Sequence, residues 1–164
     1  MINTKYLKLL RSNHRFDKNN FIYKTIAERI TDSLDLLKID VNQILEFGIN
    51  ENIVSKYIQK KYKEVNIDKA DLCSSKISVI SDFNFLNIDL NNLEFKNDFY
   101  DIIYSNFFIH LVPNFEEMLK VIINSLKPNG FFIATIPDKD CSFRLLNSIY
   151  ENDFNFYNDL NATI

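Results

Sequence analysis

Four positions in the chain carry residues that could bind or transform a small molecule, and each ends a stretch predicted to be a β-strand. Gly48, preceded by Glu46, closes the first stretch, and Asp71, Asp89 and Asn106 close the next three. A carboxylate offers two acceptor oxygens, so an acid at the second strand end can accept hydrogen bonds from both ribose hydroxyls of a nucleoside. The third acid can then accept from an exocyclic amine of adenine.

His110 is the candidate general base, because it follows the fourth predicted strand and its side chain titrates near neutral pH. The alternative is a histidine that packs among its neighbours Phe107, Phe108 and Leu111. His14 falls in a basic segment and is expected to be solvated. The two histidines are far apart in the sequence and neither has an acid at ligand spacing, so no metal site is predicted.

These residues can meet only if the strands that carry them run parallel. Amphipathic helical spacing over residues 21–38 is followed by alternating strand and helix patterns, which predict a doubly wound, mainly parallel α/β sheet with an N-terminal amphipathic helix. We interpret residues 1–39 as a basic segment and helix, and 40–164 as the nucleotide-binding core of a single domain. The predicted strands are 43–47, 65–71, 84–89, 100–106 and 131–136, and the later helices are 51–62, 116–126 and 142–151.

The composition of the chain excludes several classes of function. The chain has 164 residues, a formal net charge of −3 and 46% hydrophobic residues, which suits one folded domain without general attraction to nucleic acid. No apolar run reaches the roughly 18 residues of a membrane span, and no secretory signal is visible. Cys73 and Cys141 are isolated and are expected to be buried thiols in a reducing compartment. The predicted location is the cytoplasm.

Five segments, in order, resemble the motifs of class I S-adenosylmethionine-dependent methyltransferases. They are ILEFG at 44–48, DLCS at 71–74, NIDLNNLEF at 87–95, FYDIIYSNFFIHLV at 99–112 and LKPNGFF at 126–132. Arg11 and Arg15, followed by the helix pattern from residue 21, resemble the opening of the malonyl-carrier-protein O-methyltransferases of biotin synthesis and their relatives in respiratory complex I assembly. The resemblance implies a Rossmann-like methyltransferase core with S-adenosylmethionine as its cofactor.

The resemblance also assigns roles to the residues at the strand ends. It implies that Glu46 and Gly48 line the methionine part of the cofactor and that Asp71 holds the ribose. Asp89 and Leu90 would meet the adenine edge, and Asn106 would border the transfer site. Asn50 and Leu72 are further cofactor-binding candidates.

Two features depart from the family pattern. Asn50 and Asn52 stand where the loop after the first strand usually has its second and third glycines, which let the backbone approach the cofactor. Asparagine tolerates left-handed backbone better than other residues, so the turn itself is compatible with these substitutions. In addition, the residues after Pro137 are too few for the antiparallel strand pair that usually follows the fifth strand. A partner protein could cover that sheet edge.

These observations leave several functions open. The first is methyl transfer from S-adenosylmethionine to an unidentified acceptor, for which a carboxylate on a carrier protein is one candidate. The second is a catalytically inactive methyltransferase-like binding or assembly protein, or a truncated remnant. A nicotinamide dehydrogenase is less favoured, because its pyrophosphate needs a glycine-rich loop and this loop keeps one glycine. The basic N-terminus could meet an acidic carrier protein, although a solvated helix face is the simpler expectation.

Overall fold

A sheet of five parallel strands organises the computed structural model, which describes residues 4–13, 21–49, 52–73 and 83–137. The spatial order of the strands is β3-β2-β1-β4-β5, and each neighbouring pair is parallel. The strands are β1 (Gln43–Phe47), β2 (Asn66–Asp71), β3 (Asn84–Asn87), β4 (Tyr100–Asn106) and β5 (Leu126–Thr135).

Four α-helices cover the two faces of this sheet. They are α1 (Thr4–Asn13), α2 (Phe21–Asp35), α3 (Ile53–Lys61) and α4 (Phe115–Ser125). Apolar residues of α2 and α3 form one core with alternate residues of the strands, and α4 forms a second core on the opposite face together with Leu7 of α1. Burial of a central parallel strand on both faces explains why β1 and β4 are almost continuously buried.

The predicted doubly wound fold is confirmed, and β1 and β4 have the predicted bounds. The fifth strand begins earlier than expected, at Leu126 rather than residue 131. Its pairing with β4 is irregular between Tyr100 and Ile102, which pair with Leu126 and Phe131, so the intervening residues bulge. Asn129 in this bulge has a positive φ of 66°. The turn that follows α4 therefore lies within β5 and not in a loop before that strand.

Some expectations fall on residues outside the described ranges. These are the helix at 142–151, Asn50, His14 and Cys141. Within the described ranges, the helices are all too short or too polar to cross a membrane.

A buried ion pair and its hydrogen-bond partners join four elements beneath the loop that follows β1. Nζ of Lys69 lies 2.5 Å from a carboxylate oxygen of Glu46, and it donates to Ser55 Oγ and Asn52 Oδ1, each at 2.8 Å. The hydroxyl of Tyr104 donates to the same Glu46 carboxylate at 2.8 Å. Burial and this carboxylate raise the pKa of Tyr104 well above its ordinary value, so the phenol stays a donor. All three ammonium donors of Lys69 therefore have acceptors.

We expect Lys69→Met to lower the free energy of unfolding by about 3–5 kcal/mol, because Glu46 would keep a buried charge without its partner. The double variant Glu46→Gln, Lys69→Met removes both charges and should recover most of that loss. Urea denaturation of the three proteins measures the difference. Equal destabilisation of the single and double variants would contradict a charge-based explanation.

Candidate nucleoside-binding site

The strand order places a crevice at the carboxyl ends of β1 and β4. From β1 the chain passes outward to β2 and β3, and it then returns to β4 on the other side of β1. Helices that connect strands on the two sides lie on opposite faces, so the carboxyl ends of β1 and β4 are left open between them. In sheets of this kind, ligands bind at that point.

Asp71, at the end of β2, is fully buried at one side of this crevice. Its Oδ2 accepts from the backbone N–H of Ile49 at 2.8 Å, and its Oδ1 accepts from the N–H of Cys73 at 3.3 Å. The guanidinium of Arg11 adds two more donors: Nη2 lies 2.5 Å from Oδ2, and Nε lies 3.1 Å from Oδ1. Each carboxylate oxygen thus already accepts two hydrogen bonds.

Arg11 also contacts the other two segments that border the crevice. Its Nη2 donates to the carbonyl oxygen of Ile49 at 2.9 Å, and its Cζ lies 4.5 Å from the ring centroid of Phe108. Only 9% of the residue is exposed. Lys8 is exposed, as the prediction of a solvated basic helix face requires. The prediction is wrong for Arg11, because its charge is paired with a buried acid.

Gly48 has a φ of 87°, which glycine adopts without the steric cost that a Cβ brings. The ring of Phe108 lies directly against it: a Cβ on Gly48 would come within 2.0 Å of the Phe108 Cγ. Phe108 is fully buried and packs edge-on against Phe47 at 5.0 Å between ring centroids. The glycine is therefore needed both for the turn and for the close approach of this ring.

A cavity of about 390 Å³ opens beside Leu72, the residue that follows Asp71. Its walls come from α1 and from the residues that follow β2 and β3, including Lys5, Lys8, Leu72, Ile88 and Asp89. The exposed Asp89 accepts from the backbone N–H of Asn91 at 3.0 Å, the hydrogen bond of an Asx turn. The structure thus brings three predicted site residues, Asp71, Leu72 and Asp89, to one region.

The other predicted site residues lie around this region in different settings. Leu90 is buried in the core that α4 covers, and Glu46 lies in the ion pair with Lys69 on the opposite face. Asn106 ends β4; its Oδ1 accepts from the hydroxyl of Thr135 at 3.1 Å, and its amide donates to the carbonyl of Tyr23 at 3.4 Å. Their cofactor roles stay predictions.

His110 lies in a short 3₁₀ helix, Ile109–Leu111, between β4 and α4. The residue is exposed, and its ring is edge-on to Phe107 with 6.1 Å between centroids, so only part of the packing expected for a structural histidine is present. Partial desolvation and, to a smaller extent, the positive charge of Arg11 lower the pKa of His110. The imidazole is accordingly neutral at neutral pH, the form in which it could accept a proton.

Two residues of the crevice were not among the predicted ligands. Arg11 was read as part of a basic segment, and Phe108 as packing around His110. Neither spacing nor residue type pointed to the crevice, because α1 is brought there by tertiary contacts alone. The available signal was the family resemblance, since Arg11 lies in the N-terminal stretch and Phe108 in the segment 99–112 that carry it.

The architecture and the residues at its strand ends define the class: a nucleotide-binding α/β fold with its ligand crevice at the switch point between β1 and β4. A family model described as a methyltransferase domain matches residues 18–159. The chain belongs to this methyltransferase-domain family. The predicted family is thereby confirmed, and S-adenosylmethionine agrees with it as the cofactor.

Similarity to individual proteins supports the same family. The malonyl-[acyl-carrier protein] O-methyltransferase of Calditerrivibrio nitroreducens is 30% identical over 121 residues, which are 73% of this chain and 49% of that protein. Arginine-hydroxylase NDUFAF5 of Dictyostelium discoideum, a mitochondrial protein, is 29% identical over 154 residues, covering 80% of this chain and 35% of that one. This chain thus spans half the length of these curated relatives or less.

Among solved structures, the plantazolicin methyltransferase BpumL, in complex with a monoazolic desmethylPZN analog and SAH, superposes with a TM-score of 0.66. The sequences are 21% identical, and the match covers 81% of this chain and 55% of BpumL. At this identity the likeness establishes the fold.

We expect Arg11→Ala to raise the pKa of His110, because a nearby positive charge that opposes protonation is removed. The pKa should stay below the ordinary value, since desolvation is the larger cause. An NMR titration of the histidine ring signals measures it, with His14→Gln to assign the two histidines. An unchanged or lower pKa in the variant would show that Arg11 does not act on His110.

Proposed function

We propose that this chain binds S-adenosylmethionine in the crevice between β1, β2 and β4 and transfers its methyl group to a carboxylate presented by an acidic carrier protein. The observation that carries the cofactor proposal is Asp71, a buried carboxylate at the end of β2 that faces the loop after β1. Its two oxygens suit the two hydroxyls of a ribose.

Residues that line the cavity next to Leu72 suit the rest of the nucleoside. Leu72 and Ile88 supply apolar walls for a purine, and the carboxylate of Asp89 supplies an acceptor for its exocyclic amine. The volume of about 390 Å³ falls in the range of small-molecule sites. We assign the ribose to Asp71 and the adenine to Leu72, Leu90 and Asp89, while Glu46, Gly48 and Asn106 border the remaining part of the ligand.

The sulfonium of S-adenosylmethionine supplies an activated methyl group, so the protein contributes mainly by holding donor and acceptor in line. A carboxylate acceptor is already ionised at neutral pH and needs no general base. His110, neutral in its partly desolvated position, would be required only for an acceptor that carries a proton. The exposed Lys8 of α1 provides positive charge for an acidic carrier protein.

We expect Asp71→Ala to weaken the binding of S-adenosylhomocysteine at least about tenfold, because hydrogen bonds from the ribose to a charged acceptor are lost. Asp68→Ala is the matched control: it removes an acid from the same strand, but one that is bonded to Tyr100 and Asn84 away from the crevice. Isothermal titration calorimetry compares the three proteins. Unchanged affinity in Asp71→Ala would contradict the ribose-binding role of Asp71. A wild-type protein that binds no ligand at millimolar concentration would contradict the proposed cofactor.

For the acceptor, we expect transfer of labelled methyl from S-adenosylmethionine to a malonyl-loaded carrier protein, measured by mass spectrometry as an increase of one methyl group. The same carrier protein without the malonyl group is the control and should gain none. Label on both forms would place the acceptor on the carrier protein itself, and label on neither would reject this acceptor class.

A second candidate function is a methyltransferase-like binding or assembly protein without turnover. It is favoured by one observation: Arg11 already occupies both oxygens of Asp71. This candidate expects no thermal stabilisation by S-adenosylmethionine or S-adenosylhomocysteine. A clear rise in the melting temperature with millimolar ligand would count against it.

A further inference from the structure

Two side chains of helix α1 reach into the crevice and the core beside it. Of its side chains whose burial the structure describes, Leu7 and Arg11 are buried, and Lys5, Lys8 and Leu9 are exposed. Leu7 packs into the core beside Leu45 and Phe108, and Arg11 reaches Asp71, Ile49 and Phe108. Leu7 and Arg11 thus contribute one apolar and one charged contact to the docked position of the helix.

The charged contact uses the same atoms that a ribose would need. A carboxylate can accept about four hydrogen bonds, two at each oxygen. The backbone of Ile49 and Cys73 and two nitrogens of Arg11 donate four hydrogen bonds to Asp71, two to each oxygen. The two backbone donors belong to the walls of the crevice and remain there. Room for two ribose hydroxyls therefore arises only when the guanidinium leaves.

We propose that α1 is an internal competitor for the nucleoside site: Arg11 takes the place of the ribose hydroxyls on Asp71, and a nucleoside binds only when α1 undocks. This inference rests on the proposed function, because it takes the ribose site from there. It adds that the unliganded protein is self-inhibited and that ligand affinity is set partly by the stability of the docked helix. No covalent bond is made or broken in the exchange: the two hydrogen bonds from Arg11 are replaced by two from the ribose hydroxyls.

The competition has a defined consequence for affinity. When a competent state is only fractionally populated, the apparent dissociation constant is the intrinsic one divided by that fraction. Weakening the docked state therefore tightens ligand binding. We expect Arg11→Ala to bind S-adenosylhomocysteine about ten- to a hundredfold more tightly than the wild type, as expected if the open fraction rises from about 1–10% to nearly all molecules.

Calorimetric titration of the whole chain with S-adenosylhomocysteine tests this, with Arg29→Ala as the matched control. Arg29 is an exposed arginine of α2, so its removal changes the net charge equally and should leave the affinity unchanged. Leu7→Ala is a second route to the same end, because it weakens the docking of α1 without touching the environment of Asp71. It should also tighten binding, and it keeps the test available if Arg11→Ala does not fold.

The rate of amide hydrogen exchange in the wild-type protein distinguishes a competing α1 from an α1 that has only a structural role. Saturation with S-adenosylhomocysteine should accelerate amide exchange in residues 4–13, although ligands ordinarily slow exchange around their site. Slower exchange in these residues would mean that α1 and the ligand bind together, which overturns the inference.

The remaining outcomes separate this inference from the proposed function. Equal or weaker binding by Arg11→Ala and Leu7→Ala, with measurable binding by the wild type, overturns the competition and leaves the cofactor site standing. Absence of binding by the wild type and all the variants overturns both. Tighter binding by both variants, with Arg29→Ala unchanged, supports the competition.

Discussion

The buried carboxylate of Asp71 is the constraint on which the crevice depends. A charge without solvent contact is costly unless donors surround it, and here the donors come from three separate segments. The N–H of Ile49 fixes the loop after β1, the N–H of Cys73 fixes the chain after β2, and Arg11 fixes α1. The geometry of the ligand crevice and the position of the N-terminal helix thus follow from a single electrostatic requirement.

The same requirement links stability to binding. A carboxylate that binds a ribose needs acceptor positions that are free for the hydroxyls. A carboxylate that is buried in the folded chain needs donors at those same positions. The backbone donors of Ile49 and Cys73 belong to the crevice itself, whereas the two donors of Arg11 come from a side chain on the N-terminal helix. The affinity of the site therefore reflects a difference between two sets of hydrogen bonds rather than the strength of one set.

The loop after β1 is also held from the opposite face of the sheet. Ile49 is tied to Asp71 at the start of the loop, and Asn52, just before α3, accepts a hydrogen bond from the buried Lys69. Asn52 stands where the family pattern has a glycine, and its side chain gives Lys69 an acceptor that a glycine would not. A substitution that the sequence presents as a loss of backbone freedom thus contributes a contact to the buried ion pair with Glu46.

The sequence by itself determined the parallel sheet and the position of its strand ends, because hydrophobic periodicity and the turns that follow depend on neighbouring residues. Asp71 and Asp89 could be placed at the correct edge for that reason. Only the tertiary structure decided what those residues contact. The pairing of Arg11 with Asp71, of Lys69 with Glu46 and the approach of Phe108 to Gly48 join residues that are distant in the chain. Such contacts depend on how elements pack in three dimensions, which no local pattern of residues encodes.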